Sequence, residues 1–245
     1  MALDNKTIMV TGASSGIGKS VAILASELGA HVVLVARNRE KLKETYAALS
    51  GTSHHIFTVD LGNVDQIAGL IKSLNVNKIT LDGLVHSAGV APKESLDYGV
   101  SKKTMDINVH AFNEIINQAL TYDILCNKSS VVALSSTSAI RGDAFELSYA
   151  MSKAALEASV RFFAQYLKDK KIQVNAIQPG WVKTPMLETF LDAYGDTLYG
   201  QNDLNRQFLG AIDALEIANL IAFLLSDATT TITGSTYLID GGFLL

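Results

Sequence analysis

Three observations predict an α/β fold, a doubly wound parallel sheet of about seven strands with helices on both faces. Short apolar, β-branched runs alternate with longer amphipathic stretches along the whole chain. The short runs are apolar nearly throughout rather than at every second residue, as strands buried on both faces require. A glycine-rich turn follows the first run directly and opens a helical stretch. The 245 residues, 48% of them hydrophobic, suffice for one large domain with a substantial core. A single domain over 1–245 is expected, without linker, low-complexity tract or internal repeat beyond the βα unit.

In chain order the strand candidates are TIMV (7–10), HVVLVA (31–36), HHIFTV (54–59), DGLVHS (82–87), SVVALS (130–135), IQVNAI (172–177) and STYLID (235–240). Between them lie the helical stretches KSVAILASELG (19–29), REKLKETYAAL (39–49), VDQIAGLIKSL (64–74) and LEIANLIAFLL (215–225). Gly29 stands where a helix C-terminal glycine belongs, just before the second strand. Residues 181–209 show no clear element and are expected to form an irregular loop over the substrate.

The bulk numbers exclude several classes. A net charge of −4 argues against nucleic acid or an anionic membrane as partner. The start, MALDNKTIMV, has no basic segment followed by a long apolar one, and the greasiest patch, LIAFLL (220–225), is too short to span a bilayer. The single cysteine, Cys126, excludes an intrachain disulfide and suits a reducing compartment. A soluble, cytoplasmic protein is expected. The histidines at 31, 54, 55, 86 and 110 have no metal-ligand spacing, and His54 and His55 should point to opposite faces of their strand.

The first strand runs into TGASSGIG (11–18), with Gly12, Gly16 and Gly18 ahead of a helix. In a parallel sheet this turn lies at the carboxyl edge, where glycines admit a pyrophosphate and the helix start offers free N–H groups. The second strand ends at Ala36 and is followed by Arg37, Asn38 and Arg39. No carboxylate is there to repel a 2′-phosphate, and a guanidinium is available to pair with it. The cofactor expected is therefore NADPH in preference to NADH. Asp60, ending the third strand, would accept a hydrogen bond near the adenine or else cap the next helix. In SYAMSK (148–153), Tyr149 and Lys153 stand four apart, one helical turn from each other on one face.

TGASSGIG followed about 140 residues on by Tyr-x-x-x-Lys resembles the short-chain dehydrogenase/reductase family, in its compact single-domain type. The likeness extends through Asp60, SAG (87–89), INVHAF (107–112), LSS (134–136), VNAIQPGWVKTPM (174–186) and IDGG (239–242). It implies a Rossmann-like domain and an NAD(P)-dependent oxidoreductase acting between a carbonyl and an alcohol. By resemblance Tyr149 is the catalytic acid/base, and Lys153 lowers its pKa and binds the nicotinamide ribose. Ser136, rather than its neighbour Ser135, hydrogen-bonds the substrate oxygen, and Asn108 holds a water linked to the lysine. Gly12, Ser14, Ser15, Gly16, Ile17, Gly18, Arg37, Asn38, Asp60, Leu61, Ser87, Ala88 and Gly89 would line the cofactor. Pro179, Gly180, Val182 and Thr184 would border its nicotinamide. The family usually has two asparagines where this chain has His86-Ser87.

The chemistry explains the pair. A free tyrosine, with a pKa of about 10, holds its proton too tightly to exchange it near neutrality. Lowering it by about three units takes ~4 kcal/mol, which one ammonium at ~4 Å supplies at an effective dielectric near 20. A serine hydrolase would also need a histidine partner, and none of the five histidines has an evident pairing with a serine.

Ala150, Ala154 and Ala158 form a ridge of small residues that suits a homodimer or homotetramer, or else packs within its own subunit. The ending GGFLL would leave three apolar residues exposed in a monomer. Trp181, Phe190, Tyr194, Tyr199 and Phe208, with Phe145 and Leu147, suggest a small-molecule substrate of some apolar character. Lys183 and Arg206 against Glu188, Asp192, Asp196 and Asp203 disfavour a highly anionic one. A 3-oxoacyl thioester is one candidate, and Lys168, Lys170 and Lys171 would then dock an acidic carrier or serve only as helix-dipole partners. A non-catalytic dinucleotide-binding regulator is the other alternative.

Overall fold

The apolar runs become strands β1 (Thr7–Thr11), β2 (His31–Ala36), β3 (His55–Thr58), β4 (Leu81–His86), β5 (Leu125–Leu134), β6 (Gln173–Pro179) and β7 (Thr236–Ile239). The computed structural model describes residues 2–92, 97–141, 147–194 and 204–245. All seven strands join one parallel sheet in the order β3-β2-β1-β4-β5-β6-β7. The chain builds outward from β1 to β3, then returns to place β4 on the other side of β1. That reversal opens a crevice at the carboxyl ends of β1 and β4.

Helices α1 (Gly16–Glu27), α2 (Arg39–Ala47), α3 (Val64–Val76), α4 (Tyr98–Met105), α5 (Ala111–Thr121), α6 (Leu147–Tyr166), α7 (Pro185–Tyr194) and α8 (Ala214–Leu225) connect the strands. Alternation along each strand divides the core. Met9, Val33, Leu84 and Val131 face one layer with Ile71 of α3, Ile115 of α5 and Val160 of α6. Ile8, Val10, Val32, Leu34 and Val132 face the other, with Val21 of α1, Leu42 of α2 and Ile221 of α8. Helix caps follow the sequence: Asn38, Asn63 and Asp97 accept first-turn N–H groups of α2, α3 and α4. Among the described residues no helix is long and apolar enough to cross a membrane.

Several expectations change. The edge strands β3 and β7 are half-exposed rather than buried on both faces, because each has a neighbour on one side only. The stretch 181–209 is not irregular throughout; it carries α7, whose Leu187 is buried. Phe145, Tyr199, Asp196 and Asp203 lie outside the described residues. Phe243 is 3% exposed, under Arg141 at 4.5 Å, so of the GGFLL ending only Leu245 stands fully in solvent. Ala154 and Ala158 are exposed, so the small-residue ridge does not pack inside its own subunit. His54 is buried and accepts from the N–H of Val32, while His55 faces outward.

The departure at His86 is absorbed by the sheet. Its ring is fully buried and tilted against Phe112, with Nδ1 3.2 Å from the hydroxyl of Thr11. Burial first, and the nearby Lys153 ammonium second, lower its pKa to about 3. It is therefore neutral across the working range. An unfolded chain would bind this proton below pH 6.5 while the native one refuses it until about pH 3. Stability must fall as the pH drops through that window, with a slope of up to ~1.4 kcal/mol per pH unit from this group. His86→Asn should flatten that part of the profile in urea unfolding at stepped pH. An unchanged slope would remove His86 as its source.

Candidate active site

The carboxyl ends of the strands and the loops beyond them line two joined cavities. The first, about 340 Å³, lies over the β1–α1 turn and the ends of β2 and β3. The second, about 600 Å³, lies over the ends of β5 and β6 and against α7. Ser15, Ile17, Arg37, Ser87, Gly89, Val90 and Thr184 border both, so the two form one cleft.

The first cavity is shaped by what its glycines lack. At Gly12, with φ of +68°, a Cβ would stand 2.8 Å from the backbone nitrogen of Ala88. At Gly18 a Cβ would run into the carbonyl oxygen of Gly12. The turn can thus press against both the post-β4 segment and its own helix only without side chains. Gly18 is a spacer rather than a lining residue, whereas Gly12, Ser14, Ser15, Gly16 and Ile17 face the cavity. Ser15 precedes α1 but its side chain caps nothing, and no acid occupies the first turn. The free N–H groups and partial positive charge of that helix start remain available to an anion.

Arg37 is exposed on the rim, and Lys41, which the sequence reading missed, lines the same cavity. The cap explains how: Asn38 accepts from the N–H of Lys41 at 3.0 Å, fixing the first turn of α2 beside the site. The side-chain oxygen of Asn38 is committed to that bond. Asp60 is not the cap of α3, a role taken by Asn63. Its Oδ1 accepts from Gly62 at 3.0 Å, leaving it and Leu61 on the cavity wall with Ala88. An uncapped helix start, a basic pair and a bare glycine turn fit a phosphate-bearing dinucleotide.

Ser136, Tyr149 and Lys153 line the second cavity together with Pro179, Gly180, Val182 and Thr184, the last of which also borders the first. Helix α6 places Tyr149 and Lys153 on one face, with Nζ 5.5 Å from the tyrosine ring centre. Nζ donates to the carbonyl oxygen of Leu134 at 2.6 Å. Burial lowers the lysine pKa to about 8, so it is still an ammonium at neutral pH. Ser136 donates to Ser138 Oγ at 3.1 Å and stays in the wall. Ser135 also borders this cavity, but its hydroxyl is committed, 4% exposed and donating to Glu157 at 2.5 Å.

Asn108 reaches neither cavity. It sits in a π-helical turn, Asp106–His110, and is fully buried. Its carboxamide pairs with the main chain of Val90 in both directions, at 2.8 and 3.0 Å, and donates to Ser152 Oγ at 2.9 Å. Ser152 in turn donates to the Tyr149 carbonyl at 2.7 Å. No local spacing signals this brace. Nor does any signal Gln207, which binds both the N–H and carbonyl of Trp181, at 2.7 and 2.9 Å. The apolar lining of the second cavity is Trp181, tilted against Phe190 with ring centres 4.4 Å apart, with Met186, Leu187 and Phe243. Leu147 and Phe208, expected there, are exposed and do not line it.

The family model described as enoyl-(acyl carrier protein) reductase matches residues 12–244. The short-chain dehydrogenase/reductase aba4 of Botryotinia fuckeliana is 33% identical over 249 residues, covering 98% of this chain and 96% of that protein. A 3-oxoacyl-(acyl-carrier-protein) reductase of Thermotoga maritima is 28% identical, with both chains covered fully. Among solved structures, L-sorbose reductase of Gluconobacter frateurii, complexed with NADPH and L-sorbose, superposes with a TM-score of 0.88. It is 26% identical, over 100% of this chain and 98% of that one. End-to-end likeness in sequence and in fold leads to one conclusion: the chain belongs to the short-chain dehydrogenase/reductase family of NAD(P)-dependent oxidoreductases.

Proposed function

We propose that this protein is an NADPH-dependent oxidoreductase interconverting a carbonyl and a secondary alcohol, with Tyr149 as proton donor and acceptor. The observation that carries the reading is the grouping of Ser136, Tyr149 and Lys153 in the lining of a cavity continuous with the glycine-turn cavity. A nicotinamide cofactor, when bound, supplies the hydride. The chain supplies position and the proton. Gly12, Ser14, Ser15, Gly16, Ile17 and Gly18 form the phosphate turn, with Asp60, Leu61, Ser87, Ala88 and Gly89 along the floor. Arg37 and Lys41 select the 2′-phosphate, and Asn38 fixes their helix. Pro179, Gly180, Val182 and Thr184 border the nicotinamide end. Ser136 orients the substrate oxygen by donating a hydrogen bond as charge develops there. Tyr149 gives that oxygen its proton, or takes it in the reverse direction, and Lys153 stabilises the phenolate left behind. Asn108 sets the lysine's surroundings through its brace.

The substrate is a small molecule with an apolar portion to meet Trp181, Phe190 and Phe243. The 3-oxoacyl thioesters fall within that class and are named for several relatives. The lysines at 168–171 do not serve a carrier feeding the cleft. Lys170 pairs with Asp123 at 2.8 Å beside the start of β5, at the opposite edge of the sheet. The negative net charge and single cysteine suit a cytoplasmic protein. Self-association through α6 follows from its outward face, where Met151, Phe162 and Tyr166 are exposed beside Ala154 and Ala158.

Tyr149→Phe should keep NADPH binding and lose about a hundredfold or more in turnover across a panel of 3-oxoacyl thioesters, keto-sugars, keto-steroids and quinones. An unchanged rate would sink the proton-donor role. Arg37→Asp should move relative affinity from NADPH toward NADH, read by fluorescence titration. Equal loss for both cofactors would refute the 2′-phosphate contact. Sedimentation should give the mass of a dimer or tetramer, and Phe162→Arg should lower it; a wild-type monomer would end that part of the reading.

A further inference from the structure

Four residues beyond Lys153 on α6, the carboxylate of Glu157 is buried, 7% exposed, behind the second cavity and outside its wall. One oxygen, Oε1, accepts both the hydroxyl of Ser135 at 2.5 Å and the carboxamide N–H of Gln178 at 3.0 Å. Neither donor is charged, and Glu157 makes no ion pair with a described residue. Nothing in this packing asks for a charge: a glutamine would accept the same two bonds at a smaller desolvation cost. A buried carboxylate in this position must act on something else, and the ammonium one turn away is within reach.

We propose that Glu157 is a positioning residue of the proton-transfer site, whose negative charge holds Lys153 in its ammonium form so that Tyr149 ionises beside a cation. The inference rests on the proposed role of Tyr149. Tyr149, Lys153 and Glu157 form a ladder with steps of about 6 Å along the helix axis. Measured along the helix axis, Glu157 stands about twice as far from Tyr149 as from Lys153, so its favourable effect on the ammonium should exceed its unfavourable effect on the phenolate. Burial works against the lysine's proton and Glu157 works for it, in that order of size.

The other groups around the pair leave this balance intact. His86 at the end of β4 is neutral, Ser135 and Ser136 just after β5 and Gln178 of β6 are uncharged, and Asn108 is an amide. From α4 and the π-helical turn, Lys102, Lys103 and His110 are exposed, and Asp106 pairs with Lys102 at 2.6 Å.

The test is Glu157→Gln, which keeps both hydrogen bonds and removes only the charge. In protein labelled with ¹³C-lysine, the ε-carbon of Lys153 (assigned by its loss in Lys153→Met) should titrate near pH 8 in the wild type. In Glu157→Gln the midpoint should fall by about one unit or more. Tyrosinate absorbance missing from Tyr149→Phe should correspondingly appear at higher pH in Glu157→Gln than in the wild type. A Lys153 midpoint unmoved by Glu157→Gln overturns the inference while leaving the Tyr149 reading to its own turnover test. If the Gln variant does not fold, the wild-type titration decides alone: a Lys153 midpoint below about 7 would show that the carboxylate does not hold the proton. An early Lys153-dependent shift with no low-pH Tyr149 ionisation would instead refute the tyrosine's role.

Discussion

The approach of the β1 turn to the segment after β4 is the contact on which the rest of the site depends. These two segments flank the point where strand order reverses, and they meet without a side chain between them. The Thr11 hydroxyl accepts the Ala88 N–H at 3.1 Å, tying the last residue of β1 to the far side of the crevice. Every feature of the first cavity is measured from that tie. Gly12 sits on it, Gly18 presses α1 against Gly12, and the uncapped start of α1 is thereby aimed along the cleft. The stiffness of a seven-stranded sheet, buried on both faces at its centre, keeps the geometry fixed.

Behind the second cavity the protein assembles charge where there is little water to screen it. Lys153, Glu157 and His86 are all buried, and they take three different states. The histidine gives up its proton and serves as a neutral partner of Thr11. The lysine keeps its proton at neutral pH and spends one N–H on Leu134. The carboxylate is steadied by neutral donors. A neighbouring ammonium is part of the reason the histidine stays neutral, so the groups are set together rather than one at a time.

The parallel sheet and the helices on its two faces were legible because buried parallel strands leave unbroken apolar runs between amphipathic stretches. The candidate site was legible where it consists of short motifs near one strand end, as with Gly12–Gly18, Arg37 and Tyr149–Lys153. What stayed hidden depends on contacts between distant residues. Gln207 reaches back to Trp181, Asn108 to Val90, and Glu157 to Ser135 and Gln178, and no local spacing announces any of these. Lys41 was hidden differently, since only a formed first turn of α2 brings it beside Arg37. Phe243 appeared exposed because an apolar ending reads as solvent-facing until Arg141 and Trp181 are seen around it.

The Val90–Asn108–Ser152–Tyr149 chain of hydrogen bonds also ties distant pieces of the cleft together. It joins the loop after β4, a π-helical turn and the first turns of α6 through part-buried and buried polar groups. Separating any one of these pieces would leave buried polar groups of its neighbours without partners. The loop after β4 and the helix that carries Tyr149 are thereby joined through shared buried polar partners, so a substitution at Asn108 or Ser152 is felt on both sides of the cleft.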